Sequence, residues 1–479
     1  MKHPATPTDR ETLGQLSKEQ LIEVVITLAS RLKALEQQRS SNSQTSSKPP
    51  STDLLTKREQ APEADPSEKK RQPGGQPGHR GQTRKGFGSI DRFEVLQPQA
   101  CPHCGSSQLQ VIHTQNQQVA CLVERPIEVV EYVRHTCQCQ GCGEHLLPDW
   151  PEQIIAGQDM DVRLQALLVW LGNCAHLPYE KQQELLQEWS GQLWSVGTLV
   201  NVNERVAAAV APSVEAAWQH LPSEVVVYVD ETPWPVKGVK EWLWHVGTET
   251  VSLFHAGDSR SRSELEACLG EEFAGCLVSD VRASGAEHLY SVYNGYAAAA
   301  QQKCLAHLRR HCKHLEKFGH GVQRRIGTVF KTLIDEAFEH YQSYQATGDI
   351  TEYWQWGEGF RQRVEQAIQH WRAQAGYEAG KLLKNLQEKA DQWWHFLSDP
   401  RVRPDNNLSE RALRLGVTKR KVSGGSRSLE RLAQTAELLS VVQSCRRQGR
   451  SVMEFFRQAL QAMCHPGCQI PSLFPTPST

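Results

Sequence analysis

The chain has 479 residues, with 53 Lys and Arg against 54 Asp and Glu and a formal net charge of −1 at pH 7. This balance excludes a uniformly basic protein that binds nucleic acid through bulk charge, although local basic patches can be hidden in the average. No apolar run is long enough to span a membrane and the N-terminus has no apolar signal core, so we expect a cytoplasmic protein without a membrane partner. In that compartment the 14 cysteines indicate reduced thiols and a metal site rather than a disulfide framework.

The N-terminal segment 13–38 predicts a coiled-coil helix. Its apolar residues are spaced alternately four and three residues apart, which is the a/d pattern of a coiled coil: Leu21, Val25, Leu28, Leu32 and Leu35. Such a helix favours a homo-oligomer. The alternative is an amphipathic helix that packs on its own chain.

Segment 39–97 predicts a basic linker that is disordered in isolation, because Ser, Pro, Gly and Gln replace any apolar periodicity. Its second half sets lysines and arginines among glycines, which favours an arm that binds DNA phosphates. The alternative is a merely solvated tail. The residues that we expect to contact DNA in this arm are Arg71, Arg80, Arg84 and Lys85.

Segment 98–150 carries two C-x2-C pairs, each followed by glycine, in the strings CPHCG and CQGCG. Two such pairs can bring four thiolates onto one ion, so this segment predicts a structural zinc site. Its expected ligands are Cys101, Cys104, Cys139 and Cys142, with Cys137 as a possible substitute for Cys139. The residues between the pairs alternate between apolar and polar, which predicts two strands of a zinc ribbon.

The rest of the chain predicts a multidomain α/β protein with an RNase H-like catalytic core. Segment 151–221 is helical and favours a helix-turn-helix and a simple packed hairpin equally. Segment 222–311 contains three strand-like runs, a helix and a further strand, the order of an antiparallel meander extended by parallel strands. Segment 312–395 predicts a helical insertion, whose tryptophans favour a core over base stacking. Segment 396–445 completes the core, and 446–479 forms a C-terminal helix and tail.

Three acids carry the expected chemistry. Asp230 and Asp280 end strand-like runs, and Glu410 lies near the start of a late helix. In an RNase H-like sheet the first and fourth strands lie side by side, so the two aspartates would be close. Close carboxylates repel unless a cation lies between them, and oxygen ligands favour Mg2+ or Mn2+ over Zn2+. Two such ions can activate water or a 3′-hydroxyl and stabilise the leaving oxygen of a phosphodiester.

Over nearly its whole length the chain resembles the transposases of the insertion-sequence-66 family, which have a DDE catalytic core. The strings that carry the resemblance are SSNSQTSSKPPSTD, RQPGGQPGHRGQTR, CPHCG, CQGCG, YVDETPWPV, GCLVSD, KCLAHLRR, DNNLSERALR and KRKVSGGSR. The resemblance implies a DNA transposase that binds element ends, hydrolyses a phosphodiester and transfers the strand to target DNA. It also implies Asp230, Asp280 and Glu410 as the metal triad, and it suggests accessory proteins of the same element.

One stretch departs from the family pattern. After the second aspartate the family usually has a Gly-Tyr pair, whereas Asp280 is followed here by Val-Arg-Ala-Ser. This departure predicts a different local shape beside Asp280, as in a divergent or inactive member. The acids that would replace a wrongly assigned triad member are Glu231, Asp258 and Asp405.

The KCLAHLRR helix and the basic stretch around Glu410 supply the remaining candidates. We expect His307, with Arg309 and Arg310, to approach the active site or the scissile phosphate. The alternatives are a soft-metal site formed with Cys304 and His311, or a helix surface that faces solvent. The expected phosphate contacts of the basic stretch are Arg411, Arg414, Lys419, Arg420 and Lys421.

Two other functions would use the same residues. An RNase H-like nuclease would cut DNA without joining it, and only a strand-transfer assay separates it from a transposase. A zinc-ribbon DNA-binding regulator with a decayed core would bind DNA equally with or without Mg2+.

Overall fold

The computed structural model describes residue 17 and the ranges 90–100, 102–123, 126–280 and 292–474. These residues fall into two compact units. The larger unit takes its described residues from Val133–Gln187 and Gln192–Thr479, and the smaller from Lys57–Tyr132 and Glu188–Gly191. The predicted coiled coil, apart from Ser17, and the predicted DNA-binding arm lie outside the described residues.

The described residues of the smaller unit between 90 and 132 form no helix or strand. The two ribbon strands predicted between the cysteine pairs are therefore wrong for this described stretch. An alternating pattern yields a strand only where one face packs against other residues, and here Val129 and Val130 are 74% and 52% exposed. In the larger unit, β1 (Cys137–Gln138) and β2 (His145–Leu146) form a short antiparallel pair.

A five-stranded mixed sheet organises the larger unit. Its strands are β3 (Val226–Val236), β4 (Val239–Gly247), β5 (Ser252–Gly257), β6 (Glu272–Ser279) and β7 (Ala297–Lys303). They lie in the order β5-β4-β3-β6-β7. β4 pairs antiparallel with both β5 and β3, whereas β6 pairs in parallel with both β3 and β7. The predicted mixed α/β architecture is confirmed.

Helices precede the sheet, interrupt it and follow it. The helices before it are α1 (Val162–Asn173), α2 (Tyr179–Ser190) and α3 (Val196–His220), and α4 (Arg262–Leu269) lies between β5 and β6. The helices after β7 are α5 (Leu305–Phe318), α6 (Val322–Thr347), α7 (Ile350–Arg372), α8 (Tyr377–Glu388), α9 (Ala390–Trp393), α10 (Asn407–Ser423), α11 (Leu429–Arg447) and α12 (Val452–Cys464). None of the helices that the structure describes is long and apolar enough to cross a membrane.

The edge strand β5 is covered by α11. Serines one helical turn apart on α11 accept backbone N–H groups of this strand: Ser444 from Ser252 at 2.9 Å and Ser440 from Phe254 at 2.8 Å. These bonds satisfy donors that an open edge would leave free to pair with another chain. The helix α10 packs beside α11 on β3 and β4, and this position brings its first turn to the sheet.

Helices α5 to α9 build an apolar cluster onto the sheet. The buried Gln302 of β7 joins the two parts, because it donates to the backbone oxygen of Trp393 at 3.0 Å and accepts from the N–H of Phe396 at 2.9 Å. Trp393 and Trp394 lie in this core, whereas Trp354 is 52% exposed. The insertion is thereby fixed to the strand that leads into α5.

Candidate active site

Asp230 and Asp280 follow the last paired residues of two neighbouring parallel strands. Val229 of β3 pairs with Ser279, the last residue of β6, and an aspartate comes next in each segment. Asp230 itself lies within β3, which continues to Val236 because it pairs with β4 there, so the expectation that this strand ends at Asp230 is wrong. Both side chains are partly buried. Parallel pairing therefore brings two carboxylates together from positions 50 residues apart in the chain.

Glu410 reaches this edge from the first turn of α10. Asn406, the residue just before α10, is fully buried, and its side chain does not cap the helix. Its Nδ2 donates instead to the backbone oxygen of Val229 at 2.8 Å and to Oδ1 of Asp280 at 3.1 Å. One amide thus ties the start of α10 to the two strands that carry the aspartates.

His307 of α5 lies between the second aspartate and the glutamate. Its Nδ1 is 3.3 Å from Oδ1 of Asp280 and 3.6 Å from Oε1 of Glu410. Arg310 contacts both Glu410 and His307, with Nη2 2.9 Å from Oε1 of Glu410 and Nη1 3.0 Å from Nε2 of His307. A guanidinium can only donate, so Nε2 accepts, and the imidazole proton is on Nδ1 facing the two carboxylates.

Two carboxyl groups at this edge, those of Asp230 and Glu231, have raised pKa values. Loss of hydration raises the pKa of Asp230 well above its ordinary value, and the negative charges of Asp280 and Glu231 raise it further. Burial likewise raises the pKa of Glu231, although Arg260 and the hydroxyl of Tyr293 both donate to its carboxylate. A bound cation would remove this repulsion, since it would compensate charges that the protein itself leaves crowded.

A group of possible metal ligands overlaps this site. Among the described residues, Asp280, Cys304 and His307 each present a ligand atom, and these atoms lie within 4.8 Å of one another. Burial raises the pKa of the Cys304 thiol well above its ordinary value, and its sulfur accepts the Asn406 N–H at 3.2 Å. Since the nearer nitrogen of His307 also carries a proton, the available donors in this arrangement are carboxylate oxygens. They suit Mg2+ or Mn2+ better than a soft metal.

The predicted DNA contacts of the C-terminal stretch divide into two sets. Arg411, Arg414 and Lys421 have exposed side chains. Lys419 donates from Nζ to the backbone oxygen of Gly172 at 3.0 Å, and Arg420 donates to Thr232 and Pro233. Lys419 and Arg420 are therefore engaged inside the fold, and we leave them out of the DNA contacts proposed below.

The helix α5 also carries the other two basic candidates. Arg309 forms an ion pair with Asp335 of α6, and Arg310 forms the pair with Glu410 described above. His311, the third member of the suggested soft-metal set, has its pKa lowered to about 4 by loss of hydration and by the nearby His314. The arm residues Arg71, Arg80, Arg84 and Lys85 lie outside the described residues.

The second cysteine pair has the geometry of a thiolate turn. Gly143, with a positive φ of 78°, donates its N–H to the backbone oxygen of Cys139 at 2.8 Å. The backbone N–H groups of Cys142 and Gly141 and the Cys142 thiol lower the pKa of Cys139. Stabilising the thiolate prepares this pair for a metal such as zinc. Cys104 is exposed, and Cys101 is outside the described residues.

The sequence does not indicate the roles of three residues at this edge. Asn406 comes just before α10, where a capping side chain is usual, but its amide binds Val229 and Asp280 instead. Glu231 was only a substitute for a triad member, but it forms an ion pair with Arg260 beside Asp230. Tyr293 follows the departure from the family pattern, and no spacing in the sequence indicated that its hydroxyl would reach Glu231.

Residues 158–434 match the transposase IS66 family. Residues 5–85 match a family of unknown function (DUF6444). No curated protein matches the chain.

Proposed function

The chain belongs to the transposase IS66 family, and from this premise we propose that it cuts and joins DNA at a divalent-metal centre formed by Asp230, Asp280 and Glu410. The observation that carries this proposal is the position of His307 between Asp280 and Glu410. These two acids are 130 residues apart in the chain, yet both lie beside the same imidazole nitrogen. Their contact with one histidine supports a single site.

We propose an RNase H-like core around this centre. The proposal is supported by the strand order β5-β4-β3-β6-β7, in which the first strand of the sheet is central and pairs in parallel with the fourth. Asp230 and Asp280 follow that pairing directly. The late helix α10 then brings Glu410 to the same edge, which is why a long helical insertion before it does not separate the acids.

The residues present fit the metal. Asp230, Asp280 and Glu410 offer hard oxygen donors. The raised pKa of Asp230 reflects burial first and then neighbouring negative charges, which a divalent cation would compensate. Bound there, such ions would supply Lewis-acid activation of the attacking oxygen and charge stabilisation of the leaving one. The protein's own contribution is to hold the acids: Asn406 fixes Asp280, and Arg310 fixes Glu410.

The proposed reaction has two chemically similar steps. In the first, water attacks the phosphorus at the element end, the P–O3′ bond breaks, and a free 3′-hydroxyl remains. In the second, that hydroxyl attacks a target phosphodiester, a new P–O bond forms, and the target's own 3′-oxygen leaves with a proton. No covalent bond to the protein is needed, since the number of phosphodiester bonds is conserved in the joining step.

We further propose where DNA and the remaining partners bind. Arg411, Arg414 and Lys421 would contact backbone phosphates beside the centre, together with His307, Arg309 and Arg310 and the arm residues Arg71, Arg80, Arg84 and Lys85. A zinc ion held by Cys101, Cys104, Cys139 and Cys142 would stabilise the end-binding region. The coiled coil would join two copies of the chain, and accessory proteins of the element complete the proposed assembly.

The test is incubation of the purified chain with labelled element ends in Mg2+, with nicks and joined products scored separately. We expect both products from the unchanged chain and neither from Asp230→Ala, whose binding of the ends should persist. The exposed Asp258→Ala is the matched control and should retain activity. Nicks without joined products would identify a nuclease. End binding without any Mg2+-dependent product would identify a DNA-binding regulator and overturn the proposal.

A further inference from the structure

Three cationic side chains converge on one neutral residue, Asn294. Lys303 and Lys389 both direct their ammonium groups at its Oδ1, at 3.2 Å and 3.1 Å. Arg262, at the start of α4, donates from Nη2 to its backbone oxygen at 2.6 Å. Hydrogen bonds to a neutral amide do not compensate three positive charges, so within the described part of the chain this cluster carries a net positive charge.

The deepest member of the cluster makes the imbalance costly. Lys303 is 1% exposed, and burial of an ammonium without a counter-ion costs several kcal/mol. Burial and the neighbouring Lys389 lower the pKa of Lys303 to about 8, so the group is still mostly protonated at neutral pH. No carboxylate among the described residues lies within ion-pair distance of Lys303 or Lys389, and the adjacent Glu388 pairs with Lys384 instead.

The cluster lies at the same edge of the sheet as the proposed metal centre. Lys303 ends β7 and pairs in register with Ser279, the residue before Asp280. Tyr293, which precedes Asn294, donates its hydroxyl to Glu231 beside Asp230. A short chain of contacts therefore runs from the catalytic acids to the three cations.

The members of the cluster differ in how far they reach solvent. Arg262 is exposed, Lys389 is partly buried, and Lys303 is buried. A ligand that approaches from solvent can contact Arg262 and Lys389, and Lys303 lies within hydrogen-bond distance of the Asn294 oxygen that Lys389 also contacts. This arrangement suits a compact anion with several acceptor oxygens, which can take hydrogen bonds from more than one cation.

We propose that Arg262, Lys303 and Lys389 form a binding site for a backbone phosphate of DNA, one that lies near the phosphodiester to be cut. The proposal rests on the proposed function, since it takes DNA as the ligand. It assigns to this site the task of fixing the strand relative to the acids. Lys389 and Arg262 contact the phosphate, and Lys303 stabilises it from below.

The test measures DNA affinity against salt concentration without added Mg2+ or Mn2+, so that no cleavage is involved and the proposed zinc site stays loaded. We expect Lys389→Ala and Arg262→Ala each to weaken binding about tenfold at moderate salt. The slope of log K against log salt should become less steep by about one, as expected for one lost phosphate contact. Arg372→Ala is the matched control, because Arg372 is exposed and bonds a neutral side chain, that of Gln387; its affinity and slope should match the unchanged chain.

Lys303→Met separates binding from folding. If Lys303 serves the phosphate, the variant should unfold at the same or a higher temperature, because a buried charge is gone, while its affinity for DNA falls. If Lys303→Met does not fold, Lys389→Ala and Arg262→Ala decide. Unchanged slopes for those two overturn the proposal, even if Asp230→Ala still abolishes cleavage. Changed slopes in a chain that never cleaves DNA would sustain this site and contradict the catalytic proposal alone.

Inorganic phosphate distinguishes a free anion from a nucleic-acid ligand. The proposal predicts that inorganic phosphate alone, even at high concentration, raises the unfolding temperature far less than a DNA duplex does. Equal stabilisation by both, lost in Lys389→Ala, would identify a free-phosphate site and overturn the assignment to DNA.

Discussion

The side-chain amide of Asn406 donates a hydrogen bond of 3.1 Å to Oδ1 of Asp280. The same nitrogen donates to the backbone oxygen of Val229, the residue before Asp230, and Glu410 follows four positions later in the chain. Asn406 is therefore a positioning residue for all three acids. Its side chain makes these two hydrogen bonds instead of the usual N-cap bond of α10.

Replacing Asn406 should damage the site more than the fold. Asn406→Ala removes the amide that donates to the Val229 oxygen and to the Asp280 carboxylate, so we expect a loss of roughly 1–3 kcal/mol in the free energy of unfolding. We also expect Mn2+ affinity to fall roughly tenfold, as measured by calorimetry. The matched control is Asn385→Ala, which removes the side-chain oxygen that accepts the indole N–H of Trp393 in the helical insertion. It should cost stability without changing Mn2+ affinity, and equal effects of the two variants on the metal would contradict a positioning role.

Two basic residues of α10 should behave oppositely toward DNA. Arg414 is exposed, whereas Lys419 donates to Gly172 in the N-terminal helical region, where burial lowers its pKa to about 8. Arg414→Ala should weaken DNA binding at all sequences and make the salt slope less steep by about one. Lys419→Met should leave the slope unchanged. A reduced slope for Lys419→Met would mean that its ammonium leaves Gly172 to reach the phosphate backbone.

Adjacent glycines after α10 provide a test of the loop that follows this helix. Gly424 has a φ of 74° with open space around it, so Gly424→Ala should cost only about 1 kcal/mol of left-handed strain. Gly425 has a φ of 113°, and a methyl group there would collide with the backbone oxygen of Pro235. We expect Gly425→Ala to cost roughly 3 kcal/mol or more, as measured by urea unfolding. Equal costs would show that the loop does not pack on β3 as described.

His311 should make stability depend on pH. Its pKa is about 4 in the folded chain and about 6.5 when unfolded, so between these values the unfolded chain binds the extra proton. The free energy of unfolding should therefore fall as the pH drops from about 6.5 to 4, by roughly 3 kcal/mol in total. His311→Gln should flatten this decline, whereas the exposed His320→Gln should not. A decline that persists unchanged in His311→Gln would assign it to other groups.

The sequence predicted what depends on local pattern and failed where distant segments meet. Asp230 and Asp280 could be found because each ends an apolar run, and the parallel pairing of β3 with β6 aligns the ends of those two runs. Lys419 reads as one cation in a basic run, and nothing local indicates that Gly172, 247 residues earlier, would bind it. Asn406 and Asn294 are of a residue type that is common at helix caps and turns, so the sequence suggests no other role for them. Their roles arise from the partners that tertiary folding brings to their side chains.

The most direct test of the central claim measures Mn2+ binding to the unchanged chain and to three single variants. Binding is detected by electron paramagnetic resonance and calorimetry. The account predicts that Asp230→Asn, Asp280→Asn and Glu410→Gln each lose affinity by roughly tenfold or more, while Asp258→Asn keeps it. Full Mn2+ affinity in Glu410→Gln would contradict a single centre shared by the three acids.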